Sequence, residues 1–359
     1  MLYFFTNIER VFNTIYQKNP LFCVLNKFSI MQTIQANNYP VHFNEKGYEA
    51  LNSHLKATKY SNLFIITDSN TNDYCLHKFL PYLETELTIE IIEFEAGEIN
   101  KNIDTCIEVW KVLTDLGADR KSLIINLGGG VVTDLGGFVA STFKRGVDFI
   151  NIPTTLLSMV DASVGGKTGV DLGNLKNQIG VINVPTMVLI DSQYLETVPQ
   201  NELRSGLAEM LKHGLIFDKN YWEQFLDIST IDFSDLDLLI HRSVVIKNEI
   251  VMQDPTEKNI RKALNFGHTL GHAIESYFLE NENKTNLLHG EAIAIGMILE
   301  SFISWQKKLI TEIEYRQIKL AIKTIYEEVQ IEENDLQPIM DLLIHDKKNE
   351  FGTIQFALI

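Results

Sequence analysis

Cysteine is scarce in this chain, and the three that occur, Cys23, Cys75 and Cys106, show no paired spacing. A disulfide framework or a cysteine-based zinc site is therefore not expected, and the composition suits a reducing compartment, which we take to be the cytoplasm. The sequence also lacks a run of about 18 consecutive apolar residues, so we predict no transmembrane helix.

Basic residues are in short supply as well. The chain has 31 Lys and Arg against 47 Asp and Glu, which gives a formal net charge of −16. A nucleic acid or an anionic membrane is not an expected partner, because both bind basic surfaces. An anionic small molecule is still compatible with this charge, since a local basic pocket is enough to bind it.

The length of 359 residues predicts two domains or one large one, and a hydrophobic share of 45% is ample for a core. Residues 1–30 differ from the rest, because polar residues interrupt every apolar stretch and no cleavable signal pattern is present. We expect residues 1–30 to be an extension outside the fold, upstream of a second start at Met31. The alternative is an N-terminal helix packed on the domain.

Short apolar runs alternate with helical patterns in the first half of the chain. The predicted strands cover 63–67, 87–94, 122–127, 149–152 and 186–190, with a helix at 103–116 among them. This alternation predicts a parallel sheet with helices on both faces. We therefore expect a Rossmann-like α/β domain over residues 31–199.

Helical periodicity dominates after residue 199. Predicted helices cover 203–215, 235–252, 262–277, 292–307 and 312–329, and only the tail, 352–359, has a strand-like pattern. We therefore expect a mostly α-helical domain over residues 200–359, and a ligand in the cleft between the two domains.

A glycine-rich segment, LGGGVVTDLGG at 127–137, follows a predicted strand and opens a helix. Backbone N–H groups at such a turn bind phosphate, and the helix N-terminus adds a favourable field. Asp68 ends a nearby predicted strand, where an acidic side chain can bind a ribose diol and favours NAD over NADP. A tight turn without a ligand and an exposed loop Asp are the alternatives.

A second glycine-rich segment covers residues 160–180 and contains five glycines, two aspartates, Lys167 and Lys176. Flexible backbone with placed lysines suits an anionic substrate. Gly166-Lys167-Thr168 resembles the end of a P-loop, but Asp161 stands where its first glycine should be, so we do not interpret it as one. A glycine-rich surface turn is the alternative.

Histidine and carboxylate residues indicate a metal site. His268 and His272 lie four residues apart in NFGHTLGHAIE, so they share a helix face. His289 occurs in LHGEAIAIGM, and Glu209 occurs three residues before Lys212 in GLAEMLKHG. Imidazole and carboxylate together bind catalytic zinc or iron, so these residues predict one metal site, with His268 and His272 as an apparent chelating pair.

Taken together, the motifs resemble the 3-dehydroquinate synthase family of sugar-phosphate cyclases. The motifs that carry this resemblance, in chain order, are GGGVVTDLGGFVASTFKRG, IPTTLLSMVDASVGGKTGVD, NLKNQIG, SGLAEMLKHG, NFGHTLGHAIE, LHGEAIAIGM and HDKKNEFG. The resemblance runs from Met31 to the C-terminus. It implies a dehydroquinate synthase-like fold and an NAD- and metal-dependent carbon–oxygen lyase of the shikimate pathway. A homodimer with one zinc or cobalt ion per subunit is also implied.

The resemblance assigns roles to residues at matching positions. The metal ligands would be Glu209, His268 and His289, so His272 would face the substrate instead of the metal. The dinucleotide would contact Asp68, Glu98, Lys101, Gly129, Gly130, Val131, Asp134, Thr154, Thr155, Asp161, Lys167 and Lys176. The substrate would contact Lys167, Lys176, Asn177, Lys212, Lys247, Arg261, Asn265, His272 and Lys348, with Lys347 as the alternative to Lys348. Arg145 would reach the neighbouring subunit's site.

The other histidines receive a structural or solvated interpretation; they are His42, His54, His77, His213, His241 and His345. Three other functions compete with the expected one. Another sugar-phosphate cyclase, of the 2-deoxy-scyllo-inosose or valiolone type, would change the groups that hold a substrate carboxylate, yet Lys247 and Arg261 suit one. A metal-dependent alcohol or glycerol dehydrogenase would not need so many lysines. A catalytically inactive binding module would not keep Glu209, His268 and His289.

The expectation for residues 1–30 has a direct test. A chain that begins at Met31 should keep full activity and melt at the same temperature as the full chain, because the extension would contribute no core contacts. Activity assays and thermal melts of the two proteins check this. A loss of either property would show that residues 1–30 belong to the fold.

Overall fold

The structure is a computed structural model that describes residues 31–173, 175–226, 236–345 and 354–359. Residues 1–30, and with them the predicted extension, lie outside this part of the chain. Nine strands are described: β1 (Ile34–Gln35), β2 (Pro40–Phe43), β3 (Leu63–Asp68), β4 (Ile89–Phe94), β5 (Leu123–Gly128), β6 (Asp148–Pro153), β7 (Lys167–Leu172), β8 (Leu175–Ile182) and β9 (Met187–Ile190).

Seven of the strands form one sheet in the order β1-β2-β9-β6-β5-β3-β4. All neighbours pair in parallel except β1 and β2, which are antiparallel. All residues of β3, β5 and β9 are buried, as expected for a parallel sheet covered on both faces. In β3, Leu63 and Ile65 pack in one core cluster, whereas Phe64 and Ile66 pack in another. The predicted parallel sheet is confirmed.

The α-helices of the sheet half connect these strands. They are α1 (Asn44–Ala57), α2 (Ser69–Thr71), α3 (His77–Phe79), α4 (Ile103–Asp115) and α5 (Gly130–Thr142). Shorter turns of 3₁₀- or π-helix lie at Asn72–Leu76, Leu80–Tyr82, Glu98–Asn100, Phe143–Arg145, Ser158–Ala162 and Ser192–Thr197. The predicted helix at 103–116 matches α4 to within one residue.

The second glycine-rich segment is more ordered than the sequence indicates. Its second half is an antiparallel hairpin of β7 and β8, not a flexible loop. The glycines allow this close pairing, since a Cβ on Gly169 would lie 2.5 Å from Ile179 O and one on Gly180 would lie 2.4 Å from Thr168 O. Strand β8 therefore holds Lys176 in a fixed place.

Helices make up most of the described chain from residue 200 onward. They are α6 (Gln200–Phe217), α7 (Lys219–Glu223), α8 (Leu236–Gln253), α9 (His268–Glu280), α10 (His289–Gln306), α11 (Glu312–Ile325) and α12 (Glu333–Leu342). Single 3₁₀ turns lie at Ile260–Asn265 and Leu343–His345. The α/β sheet and the helical second half agree with the expected fold class. None of the helices in the described ranges is long and apolar enough to cross a bilayer.

The continuous helix predicted over 262–277 is wrong. The structure has a 3₁₀ turn at Ile260–Asn265, a break at Phe266 and Gly267, and then α9. Gly267 adopts a φ of +78°, in the left-handed region that favours glycine, so the helix restarts there. This break makes His268 the first residue of α9.

The predicted C-terminal strand is also wrong over its described part, residues 354–359, which are assigned to no strand. Ile354 and Ile359 pack against core clusters instead. Thr269 on α9 donates its hydroxyl to the Gln355 carbonyl at 2.9 Å, and Ile359 N donates to Ser304 Oγ on α10 at 3.3 Å. The tail thus lies against helices, where Ile354, Ala357 and Ile359 are partly buried, and within the described residues it has no partner strand.

Candidate active site

Glu209 lies at the centre of the site. Its side chain, on α6, is fully buried, and Oε1 lies 3.4 Å from His268 Nε2 and 3.6 Å from His289 Nε2. These imidazoles come from the first residues of α9 and α10. The other oxygen of Glu209, Oε2, is in close ion-pair contact with Lys212 Nζ, one turn along α6. Three helices therefore bring one carboxylate and two imidazoles together, as the sequence predicts.

Hydrogen bonds fix the tautomers of both imidazoles. His268 Nδ1 lies 3.0 Å from the Phe266 carbonyl, and His289 Nδ1 lies 3.1 Å from Glu275 Oε2. A carbonyl or carboxylate oxygen only accepts hydrogen bonds, so each Nδ1 carries a hydrogen. In the neutral rings the Nε2 lone pairs then face Glu209, which is the arrangement that metal-binding histidines use.

The donor set fits a divalent metal ion. Both carboxylate oxygens of Glu209 are buried; Oε2 is paired with the Lys212 ammonium, whereas Oε1 accepts no hydrogen bond of good geometry within the described residues. A buried polar group without a hydrogen-bond partner is costly. A cation bound between the carboxylate and the two Nε2 atoms would satisfy these atoms, and three protein ligands leave coordination positions open.

His272 is close to this set. Its ring centroid lies 5.1 Å from that of His268 and 5.7 Å from that of His289. Nitrogens of the three imidazoles lie within 4.8 Å of one another, so proximity alone allows all three to bind one ion. The assignment of His272 to the substrate, and not to the metal, therefore needs its own experiment.

A second group of possible ligands consists of Glu209, Asp161 and His213. Cations already occupy this side of Glu209. Lys247 Nζ lies 2.7 Å from Asp161 Oδ1, and Lys212 Nζ lies 3.8 Å from the same atom. A divalent ion there would be repelled by two ammonium groups, so the imidazole side is the candidate metal site.

The charges of the site follow from its burial. Burial by itself would raise the pKa of Glu209, but Lys212 and His268 outweigh it and hold this pKa well below its usual range. Burial and Lys212 lower the pKa of His268 to about 4, which keeps the ring neutral. Burial would lower the pKa of His289, yet Glu275 and Glu209 raise it to about 10. With this pKa the His289 ring carries a positive charge at neutral pH. Surroundings that stabilise this charge also suit a metal cation.

A partly buried polar cluster extends from the metal site to the sheet. Lys101 Nζ donates to Asp134 Oδ2 at 2.7 Å and to Asn177 Oδ1 at 2.8 Å. Glu98 Oε1 accepts from Lys176 Nζ at 2.8 Å and lies 3.8 Å from Lys101 Nζ. Burial would lower the pKa of Lys101, but Asp134 raises it. The five residues were all predicted as ligand contacts, and the structure brings them together.

Glu275 joins this cluster to the metal site. Its Oε1 lies 3.2 Å from Lys176 Nζ, and its Oε2 lies 3.1 Å from His289 Nδ1. The side chain is buried, with 6% of the residue exposed. Glu275 was not among the predicted site residues, although it lies seven residues after His268 in NFGHTLGHAIE and so shares a helix face with His268 and His272.

The first glycine-rich segment lies at the carboxyl ends of the strands. Gly129 precedes α5 as its N-cap and provides no side-chain cap, so the first N–H groups of α5 receive none. A Cβ on Gly129 would lie 3.0 Å from Thr155 Cγ2, just after β6. Parallel sheets bind nucleotides at this edge. The other predicted contacts of the segment, at Gly130 and Val131, lie in the first turn of α5, and Thr154 follows β6.

Asp68 lies at the same edge of the sheet, but its carboxylate already accepts hydrogen bonds within the chain. It ends β3 and is buried, and its Oδ1 accepts from Thr71 N at 2.8 Å and from Thr71 Oγ1 at 2.9 Å. This capping box is a structural role that the sequence analysis did not foresee. A ribose contact would share the carboxylate with it.

The other predicted substrate residues form two separate groups. Lys247 and Arg261 are both buried, and a Cβ on Gly165 would lie 3.6 Å from Lys247 Cε and 3.3 Å from Arg261 Nη2. Lys167 and Asn265 meet at Glu257, which pairs closely with Lys167 Nζ and accepts from Asn265 Nδ2 at 2.7 Å. Glu257 was not among the predicted site residues, because no motif or spacing distinguishes it in the sequence.

Arg145 is separate from these residues. It follows α5, whose other end carries Gly130, so about 20 Å of helix separates the two positions. Arg145 is exposed and lines a surface cavity with Arg120, Lys121 and Lys144. Lys347 and Lys348 lie outside the described residues, and so does the side chain of His345.

The remaining histidines make contacts of a structural kind. His213 is fully buried, and its Nδ1 lies 2.7 Å from Ser243 Oγ. The side chains of the other described histidines have partners away from Glu209: Thr33 for His42, Tyr60 for His54, Asp73 for His77 and Gln32 for His241.

Comparisons with known proteins agree with this geometry. Family models described as 3-dehydroquinate synthase N-terminal and 3-dehydroquinate synthase C-terminal match residues 91–205 and 206–349. A 3-dehydroquinate synthase of Parabacteroides distasonis is 43% identical over 314 residues, which cover 86% of this chain and 87% of that protein. A 3-dehydroquinate synthase of Helicobacter pylori is 40% identical over 316 residues, covering 88% of this chain and 90% of that protein.

Solved structures give the same class. A 2-deoxy-scyllo-inosose synthase, described with carbaglucose-6-phosphate, NAD+ and Co2+, has a TM-score of 0.78 and 27% identity over 90% of this chain and 89% of its own. The 2-epi-5-epi-valiolone synthase of Streptomyces hygroscopicus, described with NAD+ and Zn2+ bound, has a TM-score of 0.74 and 26% identity over 88% of this chain and 89% of its own.

The fold and the carboxylate–imidazole site define the chain as a sugar-phosphate cyclase. Both halves match one branch of that class, and relatives in it share 40% identity or more over most of the chain. The chain belongs to the 3-dehydroquinate synthase family.

Substitution of His272 and of His289, one at a time, tests whether each binds the metal. His289→Ala is expected to lose stoichiometric zinc, because it removes one of three ligands, whereas His272→Ala is expected to keep it. Metal analysis of the purified, dialysed variants measures this, with His42→Ala as a control whose ring lies elsewhere. Full zinc occupancy in His289→Ala, or its loss in His272→Ala, would contradict the ligand assignment.

Proposed function

We propose that this chain converts 3-deoxy-D-arabino-heptulosonate 7-phosphate to 3-dehydroquinate and phosphate, using NAD and one divalent metal ion, zinc or cobalt, per subunit. The observation that carries the proposal is the set of Glu209, His268 and His289, joined through Glu275 to the partly buried cluster around Lys176. Relatives that are 43% and 40% identical bear this function in their names. These ion pairs support a metal ion at Glu209 and a dinucleotide near the cluster around Lys176.

When bound, NAD supplies the oxidation and later reduction of one substrate alcohol, and the metal polarises the oxygen involved. The chain's own residues bind and orient the substrate. Lys212, 1% exposed, places an ammonium beside Glu209. Lys167 and Asn265, held together by Glu257, present donors that suit phosphate.

The substrate carboxylate distinguishes this reaction from those of other cyclases. Lys247 and Arg261 converge at Gly165, where the Arg261 guanidinium also donates to the Gly165 carbonyl at 3.1 Å. A planar guanidinium beside an ammonium suits a carboxylate. The inosose and valiolone synthases share only 27% and 26% identity with this chain. An iron-containing alcohol dehydrogenase, at 17% identity and a TM-score of 0.63, shares the fold alone.

Phosphate release is the test of this proposal. The purified protein with NAD and zinc or cobalt is expected to release one phosphate per heptulosonate phosphate consumed, with no net accumulation of NADH, because the hydride returns within one turnover. A phosphate assay and absorbance at the NADH band measure the two quantities. Sedoheptulose 7-phosphate and glucose 6-phosphate are the matched substrates that lack the carboxylate, and neither should react.

Turnover of either sugar phosphate without turnover of the heptulosonate phosphate would assign the chain to another cyclase. Accumulation of NADH with simple alcohols would assign it to the dehydrogenases.

We also propose a homodimer in which Arg145 serves the neighbouring subunit. Lys144 and Arg145 both adopt positive φ, 50° and 71°, followed by Gly146 at 105°. Such backbone is strained for non-glycine residues and is often found at functional sites. Arg120 Nε donates to the Lys144 carbonyl at 3.2 Å, which supports the turn. The exposed Arg145 lies at the opposite end of α5 from Gly130, which supports a role at the partner's site instead of its own.

Mixing two inactive variants tests this arrangement. Arg145→Ala and His289→Ala should each be nearly inactive, yet unfolding and refolding them together should restore about a quarter of the wild-type activity, because half the dimers would contain one intact site. Each variant refolded alone is the control. Recovery no greater than the average of the two variants would contradict an Arg145 that acts across the dimer.

The division into domains 31–199 and 200–359 is a further part of the proposal. All strands of the seven-stranded sheet end by Ile190, and α6 begins at Gln200. We also propose a cytoplasmic location, which is supported by the two described cysteines, Cys75 and Cys106, being free and buried.

A further inference from the structure

The helix that carries His268 is capped by a carboxylate from the next helix. Glu300, on α10, is fully buried, and its Oε2 accepts from Gly267 N at 2.8 Å. Its Oε1 accepts from Thr269 N at 3.1 Å and from Leu270 N at 3.2 Å. The first N–H groups of a helix have no partner within the helix, and a carboxylate there also interacts favourably with the helix dipole.

Close backbone packing leaves little room for a local cap on α9. The residue at its N-cap, Gly267, has no side-chain cap. A Cβ there would lie 2.6 Å from Met297 Cγ and 3.0 Å from Met297 N. A Cβ on Gly296 would lie only 1.9 Å from the Gly267 carbonyl oxygen. A Ser, Thr or Asp cap is therefore excluded at position 267, and Glu300, one turn after Gly296, provides the acceptors from across the contact.

The three hydrogen bonds to Glu300 come from backbone N–H groups on both sides of His268 in the sequence. One comes from the residue before it and two come from the residues after it. The His268 ring is bonded in turn to the Phe266 carbonyl, at 3.0 Å. The backbone that places this ring is therefore tied to α10 on both sides of the histidine.

Helix α10 carries the other imidazole as well. His289 is its first residue, and Glu300 follows 11 residues later, about three turns along the same rigid element. The packing between α9 and α10 continues at Gly271, whose Cβ would lie 2.8 Å from Ile293 Cδ1, and at Glu275, which contacts His289. Glu300 thus fixes His268 relative to the helix that begins with His289.

We propose that Glu300 is a positioning residue for the metal site: its carboxylate, by binding the N–H groups of Gly267, Thr269 and Leu270, sets the distance between His268 and His289. This inference rests on the proposed metal ligands. Loss of the cap allows the start of α9 to shift relative to α10, so that His268 no longer meets Glu209 and His289 in the geometry of one ion. The effect reaches the metal through the backbone, without contact between Glu300 and the ion.

Metal affinity is the measurement that tests this role. Glu300→Ala should raise the dissociation constant for zinc about 10- to 100-fold, the range for residues that orient metal ligands. Glu300→Gln should raise it less, because its single amide oxygen still accepts from Thr269 and Leu270. The visible spectrum of bound cobalt should change in the same order, since it reports ligand geometry. Competition titrations with a chelator provide the constants without any activity assay.

Asp335→Asn is the matched control. Asp335 is a buried carboxylate that contacts the other end of α9, through Tyr277 OH at 2.6 Å, and also pairs with Lys284. Its substitution should lower the melting temperature but change the zinc dissociation constant by less than about twofold. This control separates general loss of stability from loss of ligand geometry.

Wild-type zinc affinity in Glu300→Ala, with a lowered melting temperature, would overturn the inference and leave Glu300 a purely structural cap. If Glu300→Ala does not fold, Glu300→Gln decides: an unchanged cobalt spectrum and an unchanged zinc constant would overturn the inference equally. Failure of the wild-type protein to bind zinc or cobalt would instead contradict the proposed metal site, so the two failures are distinguishable.

Discussion

The burial of one carboxylate, that of Glu209, is the constraint on which the rest of the site depends. A fully buried charge is tolerated only with compensating partners, and Glu209 has cations on one side and imidazoles on the other. Lys212 alone would form an ordinary buried ion pair. On the other side, the neutral His268 ring offers a lone pair and the surroundings of His289 favour a positive charge, so a metal cation between the two rings and Glu209 Oε1 suits this side.

The two halves of the chain are joined by a short series of charges. Glu98 and Lys176 belong to the sheet half, whereas Glu275 and His289 belong to the helical half. Burial would raise the pKa of Glu275, yet His289 and Lys176 lower it to about 2, so the carboxylate stays ionised. For the proposed chemistry the dinucleotide would have to lie beside one substrate carbon and the metal beside the oxygen on that carbon. This series of ion pairs gives a physical reason for the two binding regions to keep a fixed position relative to each other.

Local patterns in the sequence were sufficient for much of this architecture. Hydrophobicity predicts the buried strands β3 and β5, and periodicity predicts the long amphipathic helices. The motifs around Glu209, His268 and His289 named residues that the fold brings together, with both imidazoles within 3.6 Å of Glu209 Oε1. Their side chains carry the chemistry directly, so residue type and spacing were informative.

What the sequence did not reveal depends on contacts between distant elements. The break at Gly267 is caused by the close approach of α10, and a glycine within a helical pattern does not say which neighbour requires it. Glu257, Glu275 and Glu300 are acidic residues like many others in this acidic chain, and only their buried partners distinguish them. The β7–β8 hairpin was hidden because its glycines permit tight pairing, whereas in sequence they indicate a flexible loop.

The position of the bound metal is the most direct test of the account. Anomalous diffraction at the zinc edge from crystals of the zinc-loaded protein should place a single ion about 2.0–2.2 Å from Glu209, His268 Nε2 and His289 Nε2. His272 should lie outside this coordination shell, on the side open to substrate. An ion bound by His272 in place of Glu209, or one located between Asp161 and His213, would contradict the account.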